Sequence, residues 1–306
     1  MSWFLFALLA ATLFSSSILC DKIILNRYFD KISELSLTTA AALAGFPLLI
    51  IFYFIVGSVP DTRTFLTGLV AGWLIIAAFQ LYYKALNRSD PALVTTLFQL
   101  VLPINFVLGL TLFNEDITSL QVLGIVIIAI SSLVISLEEK QKKWRLRSDV
   151  LLLMLSASVL VSFSDVVFKL GAQNAPFAEL ALAEYASSVL AGVLLFASSK
   201  KVRQELESIR KKAKRTFTIL QFNEALNLGG TLAIRFALIS GPIALVQGVM
   251  GLQPFIVLII GSILAYFGVN TNRSKKKRSR NAVLAEFVAI IAVCSGSVLI
   301  SGAVNK

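Results

Sequence analysis

The sequence predicts an all-α membrane protein with ten transmembrane helices, arranged as two inverted five-helix repeats. Three observations carry that reading. The chain of 306 residues is 57% hydrophobic and 15% charged, whereas soluble domains are about a quarter charged. Its apolar stretches are each near the ~20 residues a helix needs to cross ~30 Å of hydrocarbon. The third observation is internal repetition. The stretch SDPALVTTLFQLVLPINFVLGLTLF from Ser89 to Phe113 is echoed by SGPIALVQGVMGLQPFIVLIIGSIL from Ser240 to Leu264. Each copy opens on a proline (Pro91, Pro242) and carries a second one further in (Pro103, Pro254).

Ten spans are expected, at 3–19, 36–58, 65–86, 92–113, 119–136, 149–170, 178–199, 217–239, 243–266 and 282–301. The first lacks a basic leader and a small-residue cleavage site, so it reads as a retained helix rather than a signal peptide. FSSSILCDK at 14–22 aligns with VSFSDVVFK at 161–169, which brings Lys22 onto Lys169. The proline copies bring Lys84 onto Arg235, and SSLVI at 131–135 aligns with SGSVLI at 296–300. Helices 1–5 and 6–10 are then copies of one unit. Five is odd, so the second copy enters the membrane the other way round.

The prolines are informative by position. Pro91 and Pro242 sit where a first helical turn tolerates them. Pro103 and Pro254 fall mid-span, freeing the Gln99 and Met250 carbonyls one turn back and kinking each helix. Such backbone survives at membrane depth only where protein or a water-filled cavity covers it. Paired interruptions in two halves point to a transporter's binding site.

Loop charge sets orientation. Of 28 basic residues, 24 fall on the side that collects loops 1–2, 3–4, 5–6, 7–8 and 9–10. That side is expected to be cytoplasmic, in a plasma membrane, with both termini outside. The net charge of +11 is explained by these loops and by anionic lipid, so no nucleic-acid partner is expected. In the loop at 198–215, Val202, Leu206, Ile209 and Ala213 recur at helical spacing, which reads as an amphipathic helix lying on the anionic leaflet. The run NRSKKKRSR at 272–280 reads as a topology signal.

The chain has no histidine, and its two cysteines, Cys20 and Cys294, suggest neither a disulfide nor a metal site. No hydrolase elbow, phosphate loop or Ser/His/Asp set is present. No enzyme activity, catalytic residue, metal or cofactor is expected. Chemistry then falls to polar side chains inside spans, which are costly there and usually face the interior. Gln99, Asn105, Gln247 and Gln253 straddle the kinks. Glu224, flanked by Asn223 and Asn227, stands where the other repeat has Trp73; a lone carboxylate there has no packing reason and suits substrate binding or proton coupling. Glu184 lies inside helix 7. Asp165 and Lys169, one turn apart, read as an i,i+4 pair, with Asp165 a second proton-coupling candidate. Lys22 and Lys84 read as residues snorkelling to the interface; Arg235 is divided between that role and attraction of an anionic group. Glu286 reads as interfacial. Small residues of helices 5 and 10, Gly124 and Gly296 among them, read as packing.

The segment YYKALNRSDPALVTTLFQLVLPINFVLGLTLFNEDITSLQVLGIVI and its echo from Asn223 to Phe267 resemble the ten-helix EamA-like branch of the drug/metabolite transporter superfamily. Pro103, the acidic turn Asn114–Glu115–Asp116 and Gln121 with Gly124 resemble that family's proline, glycine–glutamate turn and following glutamine and glycine. The resemblance implies EamA-like repeats at 1–147 and 148–306, a central cavity, and export or exchange of a small-molecule substrate by alternating access. Substrate-binding candidates are Gln99, Pro103, Asn105, Glu224, Asn227, Arg235, Gln253 and Pro254. The chain departs from the family with Asn114 in place of glycine, with no acidic turn in the second copy, and with a charge bias that puts the termini outside. The alternative function is a flippase for a lipid-linked headgroup, which needs a lateral opening to lipid. Monomer and homodimer are both left open.

Overall fold

The computed structural model describes residues 2–27, 32–113, 118–135, 137–140, 143–146, 148–210 and 213–267, with 287–288, 290–296 and 298–299 near the end. The acidic turn at 114–116, the basic run at 272–280 and Glu286 lie outside the described residues, as does much of the expected tenth span. So do the side chains of Ile209 and Ala213.

Helix α1 (Ser2–Arg27) opens the chain. It extends well past the expected end at residue 19, because Ile23, Ile24 and Leu25 continue its apolar face beyond Asp21. Helix α2 (Glu34–Ala44) meets α3 (Phe46–Val56) at Gly45, with Pro47 in the first turn of α3. Gly57, at φ 71°, closes α3 in the left-handed conformation that glycine adopts without steric cost. Asp61 caps α4 (Thr62–Arg88) by accepting the Thr64 N–H at 2.8 Å.

The expected mid-span kinks are full breaks. Residues Pro91–Phe98 form α5 and Val101–Phe113 form α6, with Gln99 and Leu100 between them. Deprived of the Pro103 N–H, the Gln99 carbonyl accepts from Leu102 at 3.0 Å instead. In the echo, α12 (Ile243–Met250) is separated from α13 (Gln253–Tyr266) by Gly251 and Leu252, and Pro254 lies in the first turn of α13.

Helix α7 (Ser119–Ile135) leads into a short antiparallel hairpin, β1 (Leu137–Lys140) with β2 (Lys143–Leu146). Then come α8 (Ser148–Gly171), α9 (Phe177–Ser198), α10 (Lys200–Arg210) and α11 (Ala213–Ser240). Among the described residues, seven helical stretches are long and apolar enough to cross a membrane, and part of α7 forms a shorter apolar helix. Helix α11, at 28 residues, is not among the seven; it carries Asn223, Glu224, Asn227 and Arg235, all buried. The chain is a multi-pass membrane protein. Ten spans were expected, and the described residues do not establish that number.

Helices α1 and α11 lie along one another, as do α4 and α8; α4 also packs on α9. The broken helices cross: α5 packs on α13 and α6 on α12. The α4–α9 approach is made by small residues. A Cβ at Gly68 would meet the Ala183 Cβ at 2.5 Å, and one at Gly72 would overlap Ser187 Oγ and the Glu184 carbonyl. Gly296 approaches the Gly124 carbonyl in the same way, at 2.7 Å from a built Cβ, in keeping with the packing role read for those glycines. The largest apolar core includes Leu19, Ile24, Tyr83, Leu86, Leu97 and Met154.

The basic helix α10, expected on a leaflet, also packs on the protein. Val202 is fully buried, Leu206 packs against the core, and Glu205 accepts from the hydroxyls of Ser33 (2.6 Å) and Ser36 (2.7 Å) at the start of α2. Of the apolar stripe that the sequence offers to lipid, Val202 and Leu206 are spent on protein.

Candidate functional site

Helix α11 places Asn223, Asn227, Thr231 and Arg235 at successive four-residue steps, on one face. Two polar clusters assemble along that face.

The first lies between α11, α1 and α4. Asp21 Oδ1 accepts from Asn223 Nδ2 at 2.7 Å and from the Tyr83 hydroxyl at 3.2 Å; Oδ2 accepts from the Tyr82 hydroxyl at 3.0 Å. The Ser17 hydroxyl shares its one proton between the side-chain oxygens of Asn223 and Asn227, 2.9 and 2.7 Å away. Glu224, on the same turn, accepts a long bond from Asn227 Nδ2 at 3.4 Å. All of these groups are buried.

The second cluster is built on Arg235, only 1% exposed. Its Nη1 donates to Asp165 Oδ1 at 2.5 Å, its Nε to Glu184 Oε2 at 3.1 Å, and its Nη2 to Ser164 Oγ at 2.6 Å and to Glu184 Oε1. The guanidinium also covers the Phe168 ring, 4.8 Å from its centroid. Asp165 Oδ2 accepts from Asn105 Nδ2 at 2.8 Å and Gln247 Nε2 at 2.9 Å. Asn105 and Gln247 sit on α6 and α12, so this carboxylate joins both broken helices. Asn105 Oδ1 is the one buried polar side-chain atom without a partner among the described residues.

Between the clusters lies a cavity of about 120 Å³, lined in part by Asp21, Gln99, Asp165, Asn227, Arg235 and Gln253. A neighbouring cavity of about 70 Å³ is lined by Glu184 and Glu224 and shares Asn227 and Thr231 with the first. Of the residues singled out in the sequence, Gln99, Asp165, Asn227, Arg235, Gln247 and Gln253 are thus brought to one space, and Glu184 and Glu224 face the adjoining one. Pro103, Asn105 and Pro254 do not line either cavity; the prolines flank the breaks, and Asn105 stands behind Asp165.

Three expectations are corrected. Asp165 does not pair with Lys169. The guanidinium of Arg235 offers a planar fork that can engage both Asp165 and Glu184. The Lys169 ammonium instead reaches the Gly241 carbonyl at 3.4 Å and the face of Phe113 at 4.8 Å. Lys22 does not snorkel: it is 3% exposed and donates to the carbonyls of Leu86 (2.5 Å) and Ser89 (2.8 Å) at the α4–α5 turn. Arg235 does not snorkel either, being enclosed by its acids.

Sequence reasoning missed Asp21, Tyr82, Tyr83 and Ser164. Asp21 falls beyond the expected end of the first span at residue 19. The apolar Ile23–Ile24–Leu25 run after it is the signal that the helix continues. The tyrosines carry no such signal, since tyrosine near a helix end is also ordinary at an interface.

Among comparisons with known proteins, residues 1–137 match the model of the EamA-like transporter family. No curated protein matches the chain. A solved structure, described only as the crystal structure of a protein, is similar with a TM-score of 0.63 at 13% identity, covering 100% of this chain and 99% of its own. At that identity the likeness concerns the fold alone.

Proposed function

We propose that this chain, whose residues 1–137 match the EamA-like transporter family, is a member of the drug/metabolite transporter superfamily that exports or exchanges a small polar metabolite by alternating access. The observation that carries the reading is the meeting of two broken helices at one buried polar cavity, with Asp165 hydrogen-bonded to both. A rigid pore wall has no use for paired breaks, whereas rocking of one half against the other requires joints near the substrate.

Residues 148–306 are read as the second, inverted repeat. Supporting this, donors aligned between the halves reach carbonyls that lie one position from alignment. Lys22 binds the Ser89 carbonyl at the α4–α5 turn and Lys169 the Gly241 carbonyl at the α11–α12 turn. Ser15 donates to the Gln253 carbonyl at 3.2 Å, and its aligned partner Ser162 to the Val101 carbonyl at 3.5 Å. Each serine thus reaches the broken helix of the opposite half.

Gln99, Asn227 and Gln253 supply amides for the substrate, and Pro103 and Pro254 hold the breaks open. Asn105 orients Asp165, and Arg235 fixes the two acids. Glu224 is the better proton carrier of the two candidates, since Asp165 is committed to Arg235 and two amides. The membrane is the plasma membrane, with the basic loops in the cytoplasm and both termini outside. A C-terminal reporter active only in the cytoplasm would overturn that orientation if it were active here.

The test compares metabolites in the medium of cells making the unmodified protein and cells making Glu224→Gln, with membrane levels matched. A polar solute that accumulates only with the unmodified protein is the expected result. Identical media, together with no exchange by proteoliposomes loaded with a cell extract, would overturn the transporter reading.

A further inference from the structure

We infer that the larger cavity takes a small organic cation, an amine on a ring-sized apolar body, and that Asp21 anchors the ammonium. The inference rests on the transporter reading and specifies its substrate class.

Charge is the first argument. Asp21, Glu224, Asp165 and Glu184 come from four helices and are all buried around the two cavities. The basic group lining this space is Arg235, and four of its five N–H donors are taken by Asp165, Glu184 and Ser164. It has little left for an anionic substrate. Lys22, next to Asp21 in sequence, sends its ammonium to the α4–α5 carbonyls. An anion entering here would face four acids for one occupied guanidinium.

Asp21 is the carboxylate whose bonds suit a visiting cation. Its three donors, Tyr82, Tyr83 and Asn223, are neutral. They fix its oxygens and leave its charge uncompensated, whereas Asp165 and Glu184 already share a guanidinium. Asp21 also lines the larger cavity, together with the aromatic side chains of Phe14, Phe79, Tyr82 and Phe98. Aromatic faces beside a carboxylate attract a cation and accept its apolar body. The volume of about 120 Å³ is close to the roughly 150 Å³ at which an apolar cavity takes a benzene-sized guest. A zwitterion of the same size brings a carboxylate with no free partner.

The experiment measures equilibrium binding of radiolabelled phenethylamine to the purified full-length protein, with phenylacetate, phenylalanine and phenethyl alcohol as competitors. Saturable amine binding is expected, with phenylacetate and phenylalanine at least tenfold weaker as competitors. Asp21→Asn is expected to weaken amine binding at least tenfold. Asp21→Glu, which keeps a carboxylate, is expected to bind the amine more tightly than Asp21→Asn, and an unchanged melting temperature of Asp21→Asn separates a loss of binding from a loss of fold. Equal competition by phenylacetate, unchanged binding in Asp21→Asn, or no amine binding at all would each overturn the inference. Proteoliposomes that exchange phenylalanine but not the amine would keep the transporter and remove the cation. Proteoliposomes that bind the amine at Asp21 yet move no solute would keep the cation site and remove the transporter.

Discussion

Removing the Arg235 guanidinium is the sharpest perturbation of the site. Arg235→Met preserves most of the side chain's length and deletes its charge. Two carboxylates, Asp165 and Glu184, then remain buried without their cation, each 5% exposed or less. Breaking a buried ion pair by removing one partner costs about 3–5 kcal/mol, most of it the penalty on the charge left behind. Two stranded acids place this variant at the upper end, about 5 kcal/mol, or a fall of roughly 10 °C or more in melting temperature. Cys20 and Cys294 are free and partly buried, so unfolding in detergent can be followed by their reaction with a maleimide dye. The explanation requires that the cost belong to the acids. Arg235→Met combined with Asp165→Asn and Glu184→Gln should therefore recover more than half the loss, despite carrying two further substitutions. Arg235→Lys should fall between, because an ammonium cannot form the fork that spans both carboxylates. An Arg235→Met protein melting within about 2 °C of the unmodified one, or a triple variant less stable than the single, would refute the reasoning.

Gly72→Val should cost about 1–3 kcal/mol by overpacking, since the added carbons meet Ser187 and the Glu184 backbone; Gly57→Ala, open on all sides but at φ 71°, should destabilise only by backbone strain, and equal melting shifts in both would argue against close α4–α9 packing. Lys22→Met should lose about 1.5–3 kcal/mol, the range for hydrogen bonds to a charged group, and hydrogen exchange should quicken at the α4–α5 turn; a change confined to α1 would contradict the capping role. Docking of α10 should depend on pH. Burial, the largest single effect, raises the Glu205 carboxyl, but the Ser33 and Ser36 hydroxyls, the Ser33 N–H and the nearby Lys201 together outweigh it and hold the group below its ordinary 4.5. A carboxyl depressed by folding stabilises above its unfolded value and loses that contribution as pH falls through the folded one. Proteolysis at Lys200–Arg210 should thus be slow at pH 7 and speed up below about pH 4.5, and Glu205→Gln should be fast at both; equal rates at the two pH values in the unmodified protein would refute it.

The helix breaks were legible because proline acts locally: a missing N–H and a ring clash mark their own site, whatever surrounds them. The close approach of Gly124 and Gly296 was legible for a similar reason, since a missing side chain is a local property. The partners of Arg235 were not. Local spacing favoured Asp165–Lys169, and nothing in the sequence indicates that α8 and α9 bring Asp165 and Glu184 to the same guanidinium. Helix α10 shows the limit of periodicity. Its apolar stripe was read correctly as a stripe, but a stripe does not say whether lipid or protein will cover it; the Glu205–Ser33 bonds do. Asp21 was hidden by a span boundary, and its place beside Glu224 follows only from α1 lying along α11.

The Arg235 cluster also bears on how the chain is made. Glu184 precedes Arg235 by 51 residues and Asp165 by 70. During synthesis α8 and α9 leave the ribosome first, each carrying a carboxylate whose cation does not yet exist. Both helices are long and apolar enough to cross a membrane, yet each carries a buried carboxylate whose charge, among the described residues, only a residue of α11 offsets. The residue that neutralises both acids is therefore the last of the three to be made, and a chain ending before it carries two buried carboxylates with no cation between them.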